Sequence, residues 1–200
     1  MALPAIDDFN RANGPLGANW TTSPSDNPAL EILSNEANSG DDSFALTGAF
    51  WNADVFRRDQ FSQAEFRAVS VEVGVTVRHN PGPEADWKAY VFEMEGGTGL
   101  TIFKLIGPGF TQLGSNGTML SPGDIMRLEI REAALVGKIN GVIELTGTDG
   151  SILSGSAGLW SIAAAADATQ LDNWEAGDSD LTVPSGFVGQ YPTIIRGGGR

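Results

Sequence analysis

Apolar and polar residues alternate with a period of two along most of this chain. Over residues 69–77 the order is Val-Ser-Val-Glu-Val-Gly-Val-Thr-Val, with β-branched side chains on one face and small or polar ones on the other. That pattern predicts a half-buried strand. Residues 125–132 repeat it, with Met126, Leu128 and Ile130 facing one way and Arg127, Glu129 and Arg131 the other. Val71, Val73, Val75, Met126, Leu128 and Ile130 are therefore the expected core. Asn140-Gly141 divides two apolar stretches within residues 134–145, and its tolerance of positive φ suits a two-residue hairpin turn. Gly96-Gly97-Thr98-Gly99 separates strands at 87–95 and 100–106, and Gly107-Pro108-Gly109 turns the chain into another at 110–113. Further strands are predicted at 29–33, 44–51, 60–68, 156–161 and 171–176. Residues 162–168, rich in alanine, read either as one helical turn or as a loop. Strands this closely spaced define an all-β, two-sheet antiparallel sandwich or a barrel.

The last twenty residues break the pattern. From Leu181 to Arg200 there are no acids, two prolines, five glycines and scattered large apolar side chains. Residues 1–180 are thus expected to form one sandwich domain and 181–200 an extended arm. The arm is too apolar for a free linker, and Phe187, Val188, Tyr191, Ile194, Ile195 and Arg196 are its expected partner-binding residues.

Composition narrows the chemistry. The chain has 200 residues, a net charge of −13 and no cysteine, which removes disulfide frameworks, zinc ribbons and thiol nucleophiles. The charge repels phosphate backbones, so nucleic acid is not an expected partner. No apolar run is long enough to span a bilayer, and the first ten residues lack the basic flank and apolar stretch of a secretory signal, which predicts a soluble product made in the cytoplasm.

The order of motifs resembles a known family. Asp7-Asp8-Phe9-Asn10-Arg11-Ala12-Asn13-Gly14 followed by Leu16-Gly17-Ala18-Asn19-Trp20 is similar to the opening of laminin-G-like, concanavalin A-like jelly-roll domains common in bacteriophage virion proteins. Leu113-Gly114, Pro122-Gly123-Asp124, Lys138-Ile139-Asn140-Gly141, Thr148-Asp149, the run from Ser154 to Leu159, and Leu171-Asp172-Asn173-Trp174 continue the likeness in order. The resemblance implies two curved antiparallel sheets packed face to face, with the first and last strands adjacent. It also implies a non-enzymatic structural protein of the virion, displayed on the capsid or tail as a decoration, head-fibre or minor tail component. Its expected partners are other virion proteins and further copies of itself, as a homo-oligomer. A carbohydrate-binding module contacting a glycan on the host surface is the alternative reading, and a glycoside hydrolase the third.

Candidate chemistry is sparse, and no residue is assigned a catalytic role. Glu93 and Glu95, two apart in a strand, share a face as paired carboxylates of a hydrolase would, but glycines follow where the jelly-roll glucanase pattern has further acids. A solvated outer face opposite Tyr90, Phe92 and Met94 is the simpler expectation. His79, in Arg78-His79-Asn80-Pro81-Gly82-Pro83, reads as a surface histidine where a strand enters a turn. No cofactor is expected beyond calcium, for which Asp7, Asp8, Asp41, Asp42, Asp172 and Asp178 offer oxygen ligands and Asp8 with Asp172 the one suggested pairing. Of the tryptophans Trp20, Trp51, Trp87, Trp160 and Trp174, three lie within predicted strands, where an aromatic is more often core than sugar platform, and loss of glycan binding in Trp87→Ala is the test of a stacking role.

Overall fold

The structure is a computed structural model that describes residues 4–25, 28–39, 46–69, 71–163 and 169–179. Within them lie sixteen strands and one short 3-10 turn, Glu84–Asp86. The strands are β1 (Ala5–Asp7), β2 (Gly14–Pro15), β3 (Trp20–Thr22), β4 (Leu30–Leu33), β5 (Glu36–Ser39), β6 (Leu46–Trp51), β7 (Gln60–Ala68) and β8 (Glu72–Asn80). The chain continues through β9 (Lys88–Glu95), β10 (Gly99–Ile106), β11 (Gly109–Asn116), β12 (Ile125–Arg131), β13 (Ala134–Ile139), β14 (Val142–Thr148), β15 (Ser156–Ile162) and β16 (Gln170–Asp178).

They build two antiparallel sheets. One runs β14-β13-β12-β7-β16-β5-β4-β2, with β1 also paired to β16, and the other runs β11-β10-β9-β8-β15-β6-β3. The first and last strands are thus neighbours, with Asp7 opposite Trp174. The alternating strands point Val73, Val75, Met126, Leu128 and Ile130 into the shared core, as expected, whereas Val71 precedes its strand and is only half-buried. The strand predicted at 69–77 sits three residues later because Arg78 and His79 find partners inside the fold. The Asn140-Gly141 turn is present, at φ 50° and 81°.

The opening motif proves to be a core lock. The Asp7 carboxylate accepts from Arg11 through both oxygens (2.6 and 2.9 Å), from the Trp20 indole N–H (2.7 Å) and from the Phe9 amide (2.9 Å). Burial would raise its pKa, but the hydrogen bonds from Arg11 and Trp20 outweigh it and hold the group below the usual range. Trp20 in turn packs on Phe9, Trp51 and Trp174 between the sheets, with centroids 4.6–6.0 Å apart. Three of the five tryptophans are therefore core and offer no sugar platform.

Candidate functional site on the outer face of the seven-stranded sheet

Register places a second, chemically mixed cluster on the face of the seven-stranded sheet turned away from the core. Gly48, Trp160, Gly74, Glu93 and Thr101 form one row across β6, β15, β8, β9 and β10. Leu46, Ile162, Glu72, Glu95 and Gly99 form the next on one side, and Phe50, Gly158, Thr76, Val91 and Phe103 the next on the other. Glycines flank Trp160 on both neighbouring strands, and a Cβ at Gly74 would collide with the Phe92 carbonyl and with Glu93. With no side chain at Gly74 on the strand between them, the Trp160 indole N–H donates to Glu93 Oε2 at 2.8 Å.

Glu93 is only 4% exposed, which corrects the expectation of a solvated acid there. It does lie on the outer face, but Trp160 and Phe103 bury it. Burial, the facing Glu72 carboxylate and the hydrogen bond between the two raise its pKa well above the ordinary range, against the opposing pull of Trp160. Burial and Glu95 raise Glu72 as well, while the Glu93 hydrogen bond lowers it. Glu93, the more deeply buried of the two, is the one held more strongly towards its neutral form. The acids that meet are Glu72 and Glu93, twenty-one residues apart, rather than Glu93 and Glu95.

His79 is also corrected: it is fully buried. Its Nε2 accepts from the Trp87 indole N–H at 2.6 Å and its Nδ1 lies 2.9 Å from Thr76 Oγ1, so the proton sits on Nδ1 and is donated to the threonine. Burial pushes its pKa down to about 3. Trp87 is buried as well, stacked at 5.3 Å on Trp160. The aromatic that faces solvent is Phe110, 52% exposed, edge-on to Trp160 and tilted 5.4 Å from Phe103. It borders a depression of about 180 Å³ lined by Glu72, Glu93, Glu95, Thr101, Phe103, Phe110 and Gln112. A phenylalanine in a glycine-led strand carries no sequence signal that would have marked it.

Among the described residues no group of acids and histidines is arranged to hold a metal ion. Asp7 accepts from Arg11 and Trp20, Asp172 accepts from Arg67 at 2.7 Å, Asp178 accepts from the Arg57 amide, and Asp8, the suggested partner of Asp172, accepts from the Asn10 amide at 3.1 Å. Asp41 and Asp42 lie outside the described residues, as does the whole arm with Phe187, Val188, Tyr191, Ile194, Ile195 and Arg196.

No family model matches the chain, and no curated protein matches its sequence. Solved structures do match its shape. A prokaryotic β-1,3-1,4-glucanase (lichenase) from a mouse hindgut metagenome superposes with TM-score 0.58 at 11% identity, covering 88% of this chain and 98% of that one. The carbohydrate-binding module CBM66 from Bacillus subtilis gives 0.54 at 9%, covering 82% and 96%. The exoplasmic/lumenal domain of VIP36 in its Ca2+/Man-bound form gives 0.57 at 9%, covering 82% and 86%. The fold is thus the concanavalin A-like jelly roll shared by lectins, carbohydrate-binding modules and glucanases. At these identities the likeness concerns the fold.

Proposed function

We propose that the protein binds a neutral saccharide in the depression beside Phe110. The observation that carries this reading is the half-exposed Phe110 ring set against the acceptors of Glu72, Glu95, Thr101 and Gln112. An apolar ring stacks on the C–H face of a pyranose while carboxylates accept from its hydroxyls, and polar groups in small number around an aromatic give orientation. No cation lines the depression, so an acidic sugar would meet only repulsion there. The fold neighbours support the same class: two of the three are carbohydrate-binding domains by name or bound ligand.

The motifs similar to those of phage virion domains offer a setting for this activity. A glycan-binding sandwich on the exterior of a capsid or tail, attached to other virion proteins, is a placement proposed from the sequence alone. Screening the full chain on a glycan array tests the binding itself. Neutral glycans are expected to be retained, and Phe110→Ala is expected to lose them by about tenfold in affinity without a change in melting temperature. Silence across the array, or an unaffected Phe110→Ala variant, would refute the reading.

A further inference from the structure

The opposite side of the sandwich carries cations among its acids. On the outer face of the nine-stranded sheet, Gln63, Arg127, Lys138 and Ile143 form a row across β7, β12, β13 and β14. Phe61, Glu129, Val136 and Thr146 form the next row, and Arg131, Ala134 and Thr148 the one after. Glu129 Oε1 accepts from Arg127 at 2.7 Å and from Lys138 at 2.8 Å, while Arg131 comes no nearer than 3.9 Å to Oε2. One carboxylate therefore serves three cations. Glu175 accepts from the neutral amide of Gln63 on the β7 side of Arg127 and keeps its charge there, and Glu65 pairs with Arg67. At the groove between β12, β13 and β14 two cations, Arg131 and Lys138, stand against one lining acid, Glu129, in a chain whose net charge is −13.

These cations retain donors. Arg127 gives one nitrogen to Glu129 and another to Gln63 while its guanidinium lies 3.5 Å over the Phe61 ring, a fixed geometry that leaves its remaining N–H groups free of protein partners among the described residues. Arg131, 44% exposed, makes only the long contact to Glu129 among the described residues. Lys138 has spent one of its three N–H groups. Between them runs a groove of about 240 Å³ lined by Glu129, Arg131, Ala134, Val136, Lys138 and Ile143, and Ile143 is 59% exposed. An apolar floor under a cationic rim suits a ring that carries an anion.

We propose that this groove is a second saccharide site, for an acidic sugar whose apolar face lies on Val136 and Ile143 while its carboxylate or sulfate meets Arg131 and Lys138. Guanidinium and ammonium donors supply charge-assisted hydrogen bonds, and Thr146 and Thr148 stand on the same face to meet hydroxyls. Charge selects between the two faces: acids repel this ligand from the depression at Phe110, and the cations attract it here.

Calorimetric titration of the full chain with polygalacturonate, dextran sulfate, neutral dextran and poly-glutamate tests this. The two acidic polysaccharides separate a carboxylate from a sulfate as the preferred anion. At least one is expected to bind, with affinity falling as salt rises. Arg131→Glu, at an exposed position, should weaken that binding about tenfold or more, and Lys138→Gln added to it should abolish it. Phe110→Ala should leave it unchanged, and dextran and poly-glutamate should bind far less tightly. Absence of binding by both acidic polysaccharides would overturn the proposal, as would undiminished binding by a folded Arg131→Glu variant. Equal binding of poly-glutamate would overturn it too, because the groove would then read charge alone. Failure here with neutral glycans still captured would leave the depression at Phe110 standing.

Discussion

Arg78 is completely buried, yet its nearest carboxylate, Asp59, is 3.8 Å away. Its guanidinium is instead held by carbonyls, donating to Arg58 O (2.9 Å), Ile152 O (2.7 Å) and Glu132 O (2.7 Å). Three loops that are distant in sequence are thereby tied to one end of β8. A planar fork with five donors satisfies three separate acceptors, whereas a single ammonium at the end of a flexible stem does not reach them all. Arg78→Ala is expected to cost about 3 kcal/mol or more in chemical denaturation, since each orphaned carbonyl costs about 1–3 kcal/mol, and Arg78→Lys should recover only a part. A loss below about 1 kcal/mol would show that the clamp is dispensable. His79, next in the chain, is predicted to stay neutral and protonated on Nδ1 from pH 8 down to pH 4 in nitrogen-edited NMR, as its folded pKa of about 3 requires. Unfolded histidine titrates near 6.5, so below that pH the unfolded chain takes a proton that the native one refuses. Stability then falls by about 1.4 kcal/mol per pH unit until the native pKa is reached. Neither role was legible in the sequence, because Arg-His-Asn-Pro-Gly-Pro signals a turn while the partners come from residues 58, 76, 87, 132 and 152.

At the scale of elements, period-two alternation located the long strands and the glycine turns located the hairpins. β7 coincides with its expected span, and the Asn140-Gly141 turn joins β13 to β14 as its φ tolerance requires. The short strands β1, β2, β3 and β5 escaped, since two to four residues are too few to show a period and their pairing depends on tertiary neighbours. The same limit hid the acid pair. That Glu93 and Glu95 share a face follows from strand geometry, but the approach of Glu72 depends on the register of β8 on β9, where Glu72 stands opposite Glu95 and Gly74 opposite Glu93. This pair makes the sheet sensitive to alkali. Because the native pKa values of Glu72 and Glu93 are raised, the native state binds protons that the unfolded chain releases above about 4.5. Their contribution is present below that pH and is lost as pH rises through the native values. Glu93→Gln keeps both an acceptor for Trp160 and a donor for Glu72, so the variant should melt higher than the parent at pH 8 and the difference should vanish near pH 4. Equal melting temperatures across that range would mean that no proton is shared.

At the scale of the whole molecule, the sandwich separates two chemistries by its own thickness. The seven-stranded sheet presents acids around Trp160 and Phe110, and the nine-stranded sheet presents ion-paired strips around Glu129 and around Arg67, which contacts Asp172, Glu65 and Glu36. Net charge alone spoke against nucleic acid but was silent on this division, which appears only once register assigns each charged residue to a face. The fold class was legible because alternation survives in single strands. The site was not, because its residues come from separate strands and its aromatic, Phe110, lies in a strand with no apolar period. The most direct test of the central claim is chemical-shift mapping of the tryptophan indole and backbone N–H signals while a neutral glycan retained on the array is titrated in. The indole of Trp160 and the amides of Thr101, Phe110 and Gln112 are expected to move together with saturation, while the indoles of Trp20 and Trp174 in the core stay still. Shifts confined to the loop of Ser151 and Ser154, or no shifts at Trp160 and Phe110 at saturating glycan, would contradict it.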